Sequence, residues 1–327
     1  MLIHKCVIMS IWKLRLSILA TLALIFGLST LMLTVVLILT GLFDIITLGV
    51  LVVAFNIIQW LVSPYLINAL YRARELPANE NPKLHETIEN LSKKSGIRTP
   101  KLMLAQIPIP NAFAYGSPLA GNRVAVTSGM LEKLNDGEVE AVIGHELGHL
   151  KHKDVQVMMF VSLLPALFYY IGYSLTLSSM YGRRRDEGSS GALIGMIFIA
   201  FWWILNLFTL YLSRLREYYA DRHSASIVEN GSQKLSVGLA KIVQATRDMG
   251  KMKNRTKSLS SFKALFISDP DRAEIDSAAL STMNVSSGQK LVQDILSQQL
   301  TTGAKFAEVF STHPNIIKRL KALQELD

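Results

Sequence analysis

The stretch 188–221, GSSGALIGMIFIAFWWILNLFTLYLSRLREYYAD, joins two kinds of chain in one segment. Its first 26 residues carry no charged side chain, and charge then arrives at Arg214, Arg216, Glu217 and Asp221. As a helix rising about 1.5 Å per residue, the uncharged part extends about 40 Å, enough to cross a hydrocarbon core of about 30 Å. The polar end puts Glu217 and Asp221 one helical turn apart on one face. A membrane-length helix running straight into paired carboxylates decides the fold class, and the rest of the sequence can be tested against it.

Three other stretches match its apolar part. Residues 16–43, 45–71 and 155–182 are also uncharged, each 27 or 28 residues long, with Asp44 the single charge between the first two. A very apolar core helix can explain one such run but not four. With 50% apolar and 18% charged residues in a chain of 327, a soluble globular enzyme is excluded, and the expected organisation is two hydrophobic hairpins alternating with two polar segments. The first run is too long for a signal-peptide core and lacks a clear small-residue cleavage site, so the N-terminal pair is expected to stay as an anchor. The expected parts are 1–71, a tail and transmembrane hairpin; 72–154, half of a catalytic domain; 155–213, a second hairpin; and 214–327, the other half. The fold class is thus a mainly α integral membrane protein, with four transmembrane helices in two hairpins and an α+β catalytic domain. Cys6, the single cysteine, excludes an intramolecular disulfide and a Cys-rich metal site.

Within 72–154, Asn81-Pro82 signals a helix start, Leu84, Ile88 and Leu91 keep helical spacing, and Gly96 stops it. Strand-like runs follow at 101–105, 112–115 and 123–127, punctuated by Pro108, Pro110, Pro118 and Gly121. A second helix is expected from Asn135-Asp136, with Glu138 behind the cap, to Leu150. Residues 251–261, rich in Lys, Asn, Ser and Thr, read as a loop.

That second helix carries His145-Glu146-Leu147-Gly148-His149, an H-E-x-x-H pattern that sets two imidazoles one turn apart, where both can reach one ion. Glu146 projects beside the pair and suits a general base for a metal-activated water. On its own the pattern is also compatible with two solvated histidines. Glu217 changes that balance, because a catalytic zinc takes three protein ligands and keeps one open position, and two histidines with a glutamate are a common set. One zinc per chain, held by His145, His149 and Glu217, is the expected cofactor. Asp221, one turn beyond Glu217, is placed to accept the N–H of a ligand imidazole. Without the upstream motif, the two acids would read equally well as solvated partners of Arg214 or Arg222. Gly144 and Gly148 weaken the helix by up to about 1 kcal/mol each, which points to a close approach by another element.

For these ligands to meet, the two runs between them must return the chain to one side of the membrane. Lys5, Lys13, Arg15, Arg72, Arg74, Lys151, Lys153, Arg214 and Arg216 all flank the runs on that side, which the positive-inside rule makes cytoplasmic. The Arg183-Arg184-Arg185 cluster then faces outside, against the rule, offset in part by Asp186 and Glu187. The formal charge of +9 is accounted for by placement at a lipid bilayer, with no need for nucleic acid. Asn111, Ala112, Phe113 and Ala114 read as a short strand between Pro110 and Gly116, which is either an ordinary sheet strand or an edge that pairs with an extended substrate. His223 is expected to pack or bond locally, and His85 and His152 to be solvated.

Several of these stretches together resemble the HtpX family of membrane zinc metallopeptidases, which is related to the CAAX prenyl proteases. They are Asn111-Ala112-Phe113-Ala114-Tyr115-Gly116, Thr127-Ser128-Gly129-Met130-Leu131, Ile143-Gly144-His145-Glu146-Leu147-Gly148-His149, Glu217-Tyr218-Tyr219-Ala220-Asp221 and His313-Pro314. The resemblance covers most of the chain. It implies a zincin-like catalytic domain, zinc on His145, His149 and Glu217, Glu146 as catalytic base, and endoproteolysis of damaged or misfolded membrane proteins. It also implies that the strand at Asn111 lies beside the cleft, and that His313 with Arg319 stabilises the tetrahedral oxyanion. For those last two residues the local sequence offers another reading, with Ser311 or Thr312 capping a helix and Arg319 solvated. Two other functions compete: a prenyl-protein processing protease, and a non-catalytic scaffold that kept a structural metal.

Overall fold

The structure is a computed structural model that describes residues 44–181, 188–251 and 288–326. The first uncharged run, Cys6, the Arg183-Arg184-Arg185 loop and all but the first residue of the 251–261 loop lie outside the described residues. In chain order the elements are α1 (Ile45–Tyr71), β1 (Ala73–Glu75), α2 (Pro82–Ser95), β2 (Lys101–Ala105), β3 (Ala112–Ser117), β4 (Gly121–Thr127), α3 (Ser128–Lys133), α4 (Asp136–Lys151), α5 (Asp154–Tyr181), α6 (Gly188–Ile227), α7 (Gly231–Lys251), α8 (Gly288–Leu296), α9 (Thr302–Val309) and α10 (Ile316–Gln324). The protein is mostly helical with one small sheet, and it divides into two compact units: Met1–Trp60 with Met158–Tyr211, and Leu61–Val157 with Leu212–Asp327.

In the first unit, three of the four uncharged runs fall on helices α1, α5 and α6. Asp44 caps α1 by accepting from the backbone N–H of Ile46 and Thr47. Among the described residues two helices, Ile46–Tyr71 and Gly191–Ile227, are long and apolar enough to cross a membrane, and only 12% and 6% of their most apolar windows are buried. A core helix of a soluble protein would be mostly buried. Here Val50, Ile58, Leu193 and Phe208 are more than half exposed, which associates these helices with a membrane. Pro165 lies inside α5 without ending it. Small residues line the approach of α5 to α6: a Cβ on Gly172 would meet the Gly195 carbonyl at 2.7 Å, and one on Gly191 would meet Ser179 Oγ at 2.4 Å. Close backbone approach through small residues is how helices gain packing contacts where apolar burial gives no advantage.

The second unit is built on a four-stranded sheet of order β1-β2-β4-β3. The β1–β2 and β3–β4 pairs are antiparallel and β2–β4 is parallel, so β3 is an edge strand. Strand alternation sends Leu102, Leu104, Val124 and Val126 into the main core with α2, α4, α7, α8 and α10. Met103, Ala105 and Ala125 face the other way, onto Phe113, Tyr115, Ile107, Ile109 and the end of α1 at Tyr71. Two strands therefore have both faces covered.

Helix α2 starts where expected, with Asn81 Oδ1 accepting from Leu84 N–H, and stops at Gly96 in the left-handed region at φ +69°. Helix α4 opens with a full capping box: Asn135 accepts from Glu138 N–H, and the Glu138 side chain accepts from Asn135 N–H. Lys241 of α7 then bonds both Glu138 oxygens at 2.7 and 2.8 Å, fixing α4 to its neighbour. Strand β1 and helix α3 were not expected. Strand β1 is three residues with two charges and offers no alternation, and α3 is a single short turn capped by Thr127.

The glycines of α4 mark its crossing with α6. A Cβ on Gly148 would lie 3.0 Å from Ala220 Cα and 3.2 Å from His223 Cβ, and one on Gly144 would lie 3.1 Å from Ser224 Oγ. Ser224 Oγ donates to the Ala141 carbonyl at 2.6 Å across the same contact. Overpacking at such a contact costs about 1–3 kcal/mol, more than the gain of up to about 1 kcal/mol in helix propensity. Gly148→Ala should therefore lower the thermal unfolding midpoint of the detergent-solubilised protein. Gly303→Ala, in open space on α9, should leave it unchanged or raise it.

Candidate metal centre

His145 and His149 project from one face of α4, their rings edge-on with centroids 4.8 Å apart and their Nε2 atoms 3.2 Å apart. Glu217 enters from α6, with Oε2 3.6 Å from His145 Nε2 and Oε1 3.6 Å from His149 Nε2. His145 and Glu217 are buried, at 1% and 5% exposure. Ligand atoms of these three residues all lie within 4.8 Å of one another. A tetrahedral ion with ligands at about 2.0–2.1 Å spaces its donors roughly 3.3 Å apart, so the triangle suits such an ion. The donor set, two imidazoles and one carboxylate, is that of catalytic zinc.

Each imidazole is held from behind. His145 Nδ1 lies 2.9 Å from Asp221 Oδ1, and His149 Nδ1 lies 2.6 Å from Asp154 Oδ2. A carboxylate at Nδ1 favours the proton there and leaves Nε2 as the nitrogen able to ligate a metal. Burial alone would lower the pKa of His145, but Asp221 and Glu217 outweigh it and raise it to about 9. For Asp154, His149 and Arg216 overcome the opposing effect of burial and hold the carboxyl below its ordinary value. Arg319 bonds Asp221 through Nε at 2.9 Å and Nη2 at 2.6 Å, and places Nη1 3.0 Å from Glu217 Oε2. Arg216 Nε lies 2.9 Å from Asp154 Oδ1. Three carboxylates thus meet two guanidinium groups, a balance one positive charge short of neutral that favours a cation in their midst.

Glu146 is 3% exposed and faces the sheet, where its Oε2 accepts from Ala114 N–H at 2.7 Å. Ala114 stands on the free edge of β3. The Asn111 carbonyl accepts from Thr127 N–H, and Phe113 pairs with Ala125 two residues further on, so these two residues turn their main-chain groups to β4. By alternation Ala112, Ala114 and Gly116 turn theirs outward. Phe113 packs its ring against Tyr71 and Tyr115 at centroid distances of 5.2 and 5.5 Å, so its side chain belongs to a core. Of the four strand residues expected to bind substrate, Asn111, Ala112 and Phe113 are buried, and Ala114 is partly exposed with its N–H taken by Glu146.

His313 joins the cluster, with Nδ1 3.2 Å from Glu217 Oε1 and a side chain 24% exposed. Arg319 needs a correction. Its side chain is 2% exposed and its nitrogens are engaged with Asp221 and Glu217, so it cannot reach a substrate oxyanion; it holds the two acids in place. The solvated alternative fails for the same reason, and the cap of α10 is Asn315, not Ser311 or Thr312. The loop bearing His313 is itself strapped down: Arg214 Nη1 donates to the carbonyls of Glu308, Val309 and Ser311, and Glu308 accepts from Asn315 N–H. His223 is buried, packs beside Gly148 and bonds Ser95 Oγ at 2.9 Å, whereas His85, expected to be solvated, is half-buried with Nε2 2.8 Å from the Leu76 carbonyl. His152 is exposed.

Asp154, Arg214 and Arg216 were visible in the sequence only as charges at the ends of uncharged runs. The one clue to Asp154 was its place five residues beyond His149.

The model of peptidase family M48 matches residues 78–327. The chain is 37% identical over 279 residues to a Protease HtpX homolog of Thermoplasma acidophilum, covering 84% of this chain and 83% of that one. It is 37% identical over 282 residues to Protease HtpX homolog 2 of Saccharolobus solfataricus, covering 83% and 82%. Among solved structures it is similar to S. mikatae Ste24p, with a TM-score of 0.53, 17% identity, and coverage of 96% of this chain and 67% of that chain. At that identity the likeness speaks to the fold alone. The matched region holds both histidines, Glu146, Glu217 and the C-terminal helices around them, and the chain belongs to peptidase family M48.

Proposed function

We propose that this chain is a membrane-bound, zinc-dependent endopeptidase that hydrolyses misfolded or damaged membrane proteins, with its catalytic domain on the cytoplasmic side of a four-span anchor. The observation that carries the reading is the triangle of His145, His149 and Glu217, with Glu146 beside it bonded to Ala114 of the edge strand β3. Four uncharged runs and the basic residues at their ends support the spans and their orientation.

A divalent ion held by the three ligands supplies Lewis acidity to a water and to the scissile carbonyl. The chain's own residues do the rest. Glu146 takes the proton of the attacking water on a carboxylate oxygen and later returns it to the leaving amine. Asp221 and Asp154 hold the ligand imidazoles, and Arg319 holds Asp221 and Glu217. His313, partly exposed beside Glu217, is placed to donate to the oxygen that becomes negative. An extended peptide would meet edge strand β3 at partly exposed Ala114, pairing through its backbone, which suits a protease with little demand on sequence. A prenyl-protein substrate is not favoured by these features; cleavage of a farnesylated C-terminal peptide in preference to an unmodified one would support it.

Purified in detergent, the parent should hold about one zinc per chain and cleave an unfolded substrate such as casein, with cleavage abolished by chelator and restored by zinc. Glu146→Gln should keep zinc affinity within about threefold while losing about 10²–10⁴ in turnover, and Glu217→Ala should lose both. Full activity in Glu146→Gln would remove that residue from the base role. For the strand edge, backbone N-methylation at alternate positions of a peptide substrate should slow cleavage at least about tenfold, whereas methylation at the intervening positions should have little effect.

A further inference from the structure

Asp154 and Arg216 stand on the metal site from the side of the second apolar hairpin. Helix α4 ends at Lys151, and the chain turns through His152 and Lys153, the latter in the left-handed region at φ +55°. That reversal brings Asp154 back onto the ring five residues before it, with Oδ2 2.6 Å from His149 Nδ1. Asp154 is 3% exposed, so a carboxylate there must have both oxygens met, and Arg216 Nε meets the other at 2.9 Å. The result repeats the arrangement at the other ligand: His145 is backed by Asp221 and Asp221 by Arg319, just as His149 is backed by Asp154 and Asp154 by Arg216.

The two arrangements differ in where they are anchored. Arg319 comes from α10 and is fully buried, whereas Asp154 is the first residue of α5 and Arg216 lies on α6 directly before Glu217. Asp154 immediately precedes the uncharged run 155–182, and Arg216 follows the run 188–213 by three residues. We infer that Asp154 and Arg216 are positioning residues of the metal site: they hold His149 with its Nε2 toward the ion, and they fix the two ends of the second hairpin to the ligands on α4 and α6. Metal affinity then depends on the spacing of the hairpin's two ends, which a purely surface ion pair would not produce. The inference rests on the metal reading given above.

The test uses the full chain in detergent, with zinc affinity measured against a chromophoric chelator and the visible spectrum of the cobalt(II) form recorded beside it. Arg216→Gln and Asp154→Asn should each weaken zinc binding by about 10–100-fold and alter the cobalt spectrum, and Arg216→Lys should recover part of the loss. Arg222→Gln, at an exposed position further along α6, should bind as the parent does. Should Asp154→Asn fail to fold, the two Arg216 variants, altered at a partly exposed side chain, decide the matter. Zinc affinity within about twofold of the parent with an unchanged cobalt spectrum, at whatever melting temperature, would overturn the positioning role while leaving the metal site standing. A parent that binds no zinc would overturn the metal reading itself.

Discussion

The crossing of α4 over α6 is the contact on which the site depends. Two histidines on one helix offer an ion two donors; the third arrives only if α6 passes close enough for a glutamate to reach them. Gly144 and Gly148 make that passage, with Ala220 and Ser224 as the facing small residues and the Ser224–Ala141 hydrogen bond closing the contact. Each glycine weakens its own helix, and the return is a carboxylate 3.6 Å from both imidazoles. Larger side chains at the crossing would separate the helices and leave a two-ligand site.

Bringing the ligands together also concentrates buried charge, and that sets the second constraint. Glu217, Asp221 and Asp154 are each at most 5% exposed, and a buried carboxylate is tolerated only when its charge is met. Arg319 answers two of them and Arg216 the third, with the imidazoles of His145 and His149 beside them. Because each of these acids is paired with an arginine, the side chains are positioned without an ion, which would lower the cost of gathering them around one. The arginine from α10 explains why the C-terminal segment belongs to the site although it contributes no metal ligand.

Much of this was legible in the sequence, because the decisive signals are local. The H-E-x-x-H pattern is a matter of helical period, Asn81, Asn135 and Gly96 are helix ends with a known chemistry, and an acid pair directly after an uncharged run is uncommon. What escaped depends on long-range packing. Nothing in the polar helix around Arg319 says that this cation will be buried while Lys318 beside it stays 43% exposed; only the position of Asp221 decides it. In the sequence Asp154 and Arg216 stand only as charges at the ends of uncharged runs, and the fold gives them partners in the site. The direction of Phe113 was likewise set by its register on β4 and by Tyr71, from another element altogether.

Helix α6 ties location to chemistry by its length alone. Glu217 follows the last residue of the uncharged run, Ser213, by four positions, a rise of roughly 6 Å along the axis. On the proposed reading, in which that run spans the bilayer, the ion lies within the depth of the headgroup layer from the end of the hydrocarbon. Selection of substrate would come from that position, since backbone pairing to an edge strand discriminates little among sequences. A folded soluble protein offers no extended segment at that height, whereas a membrane protein that has lost its packing exposes one where its spans emerge.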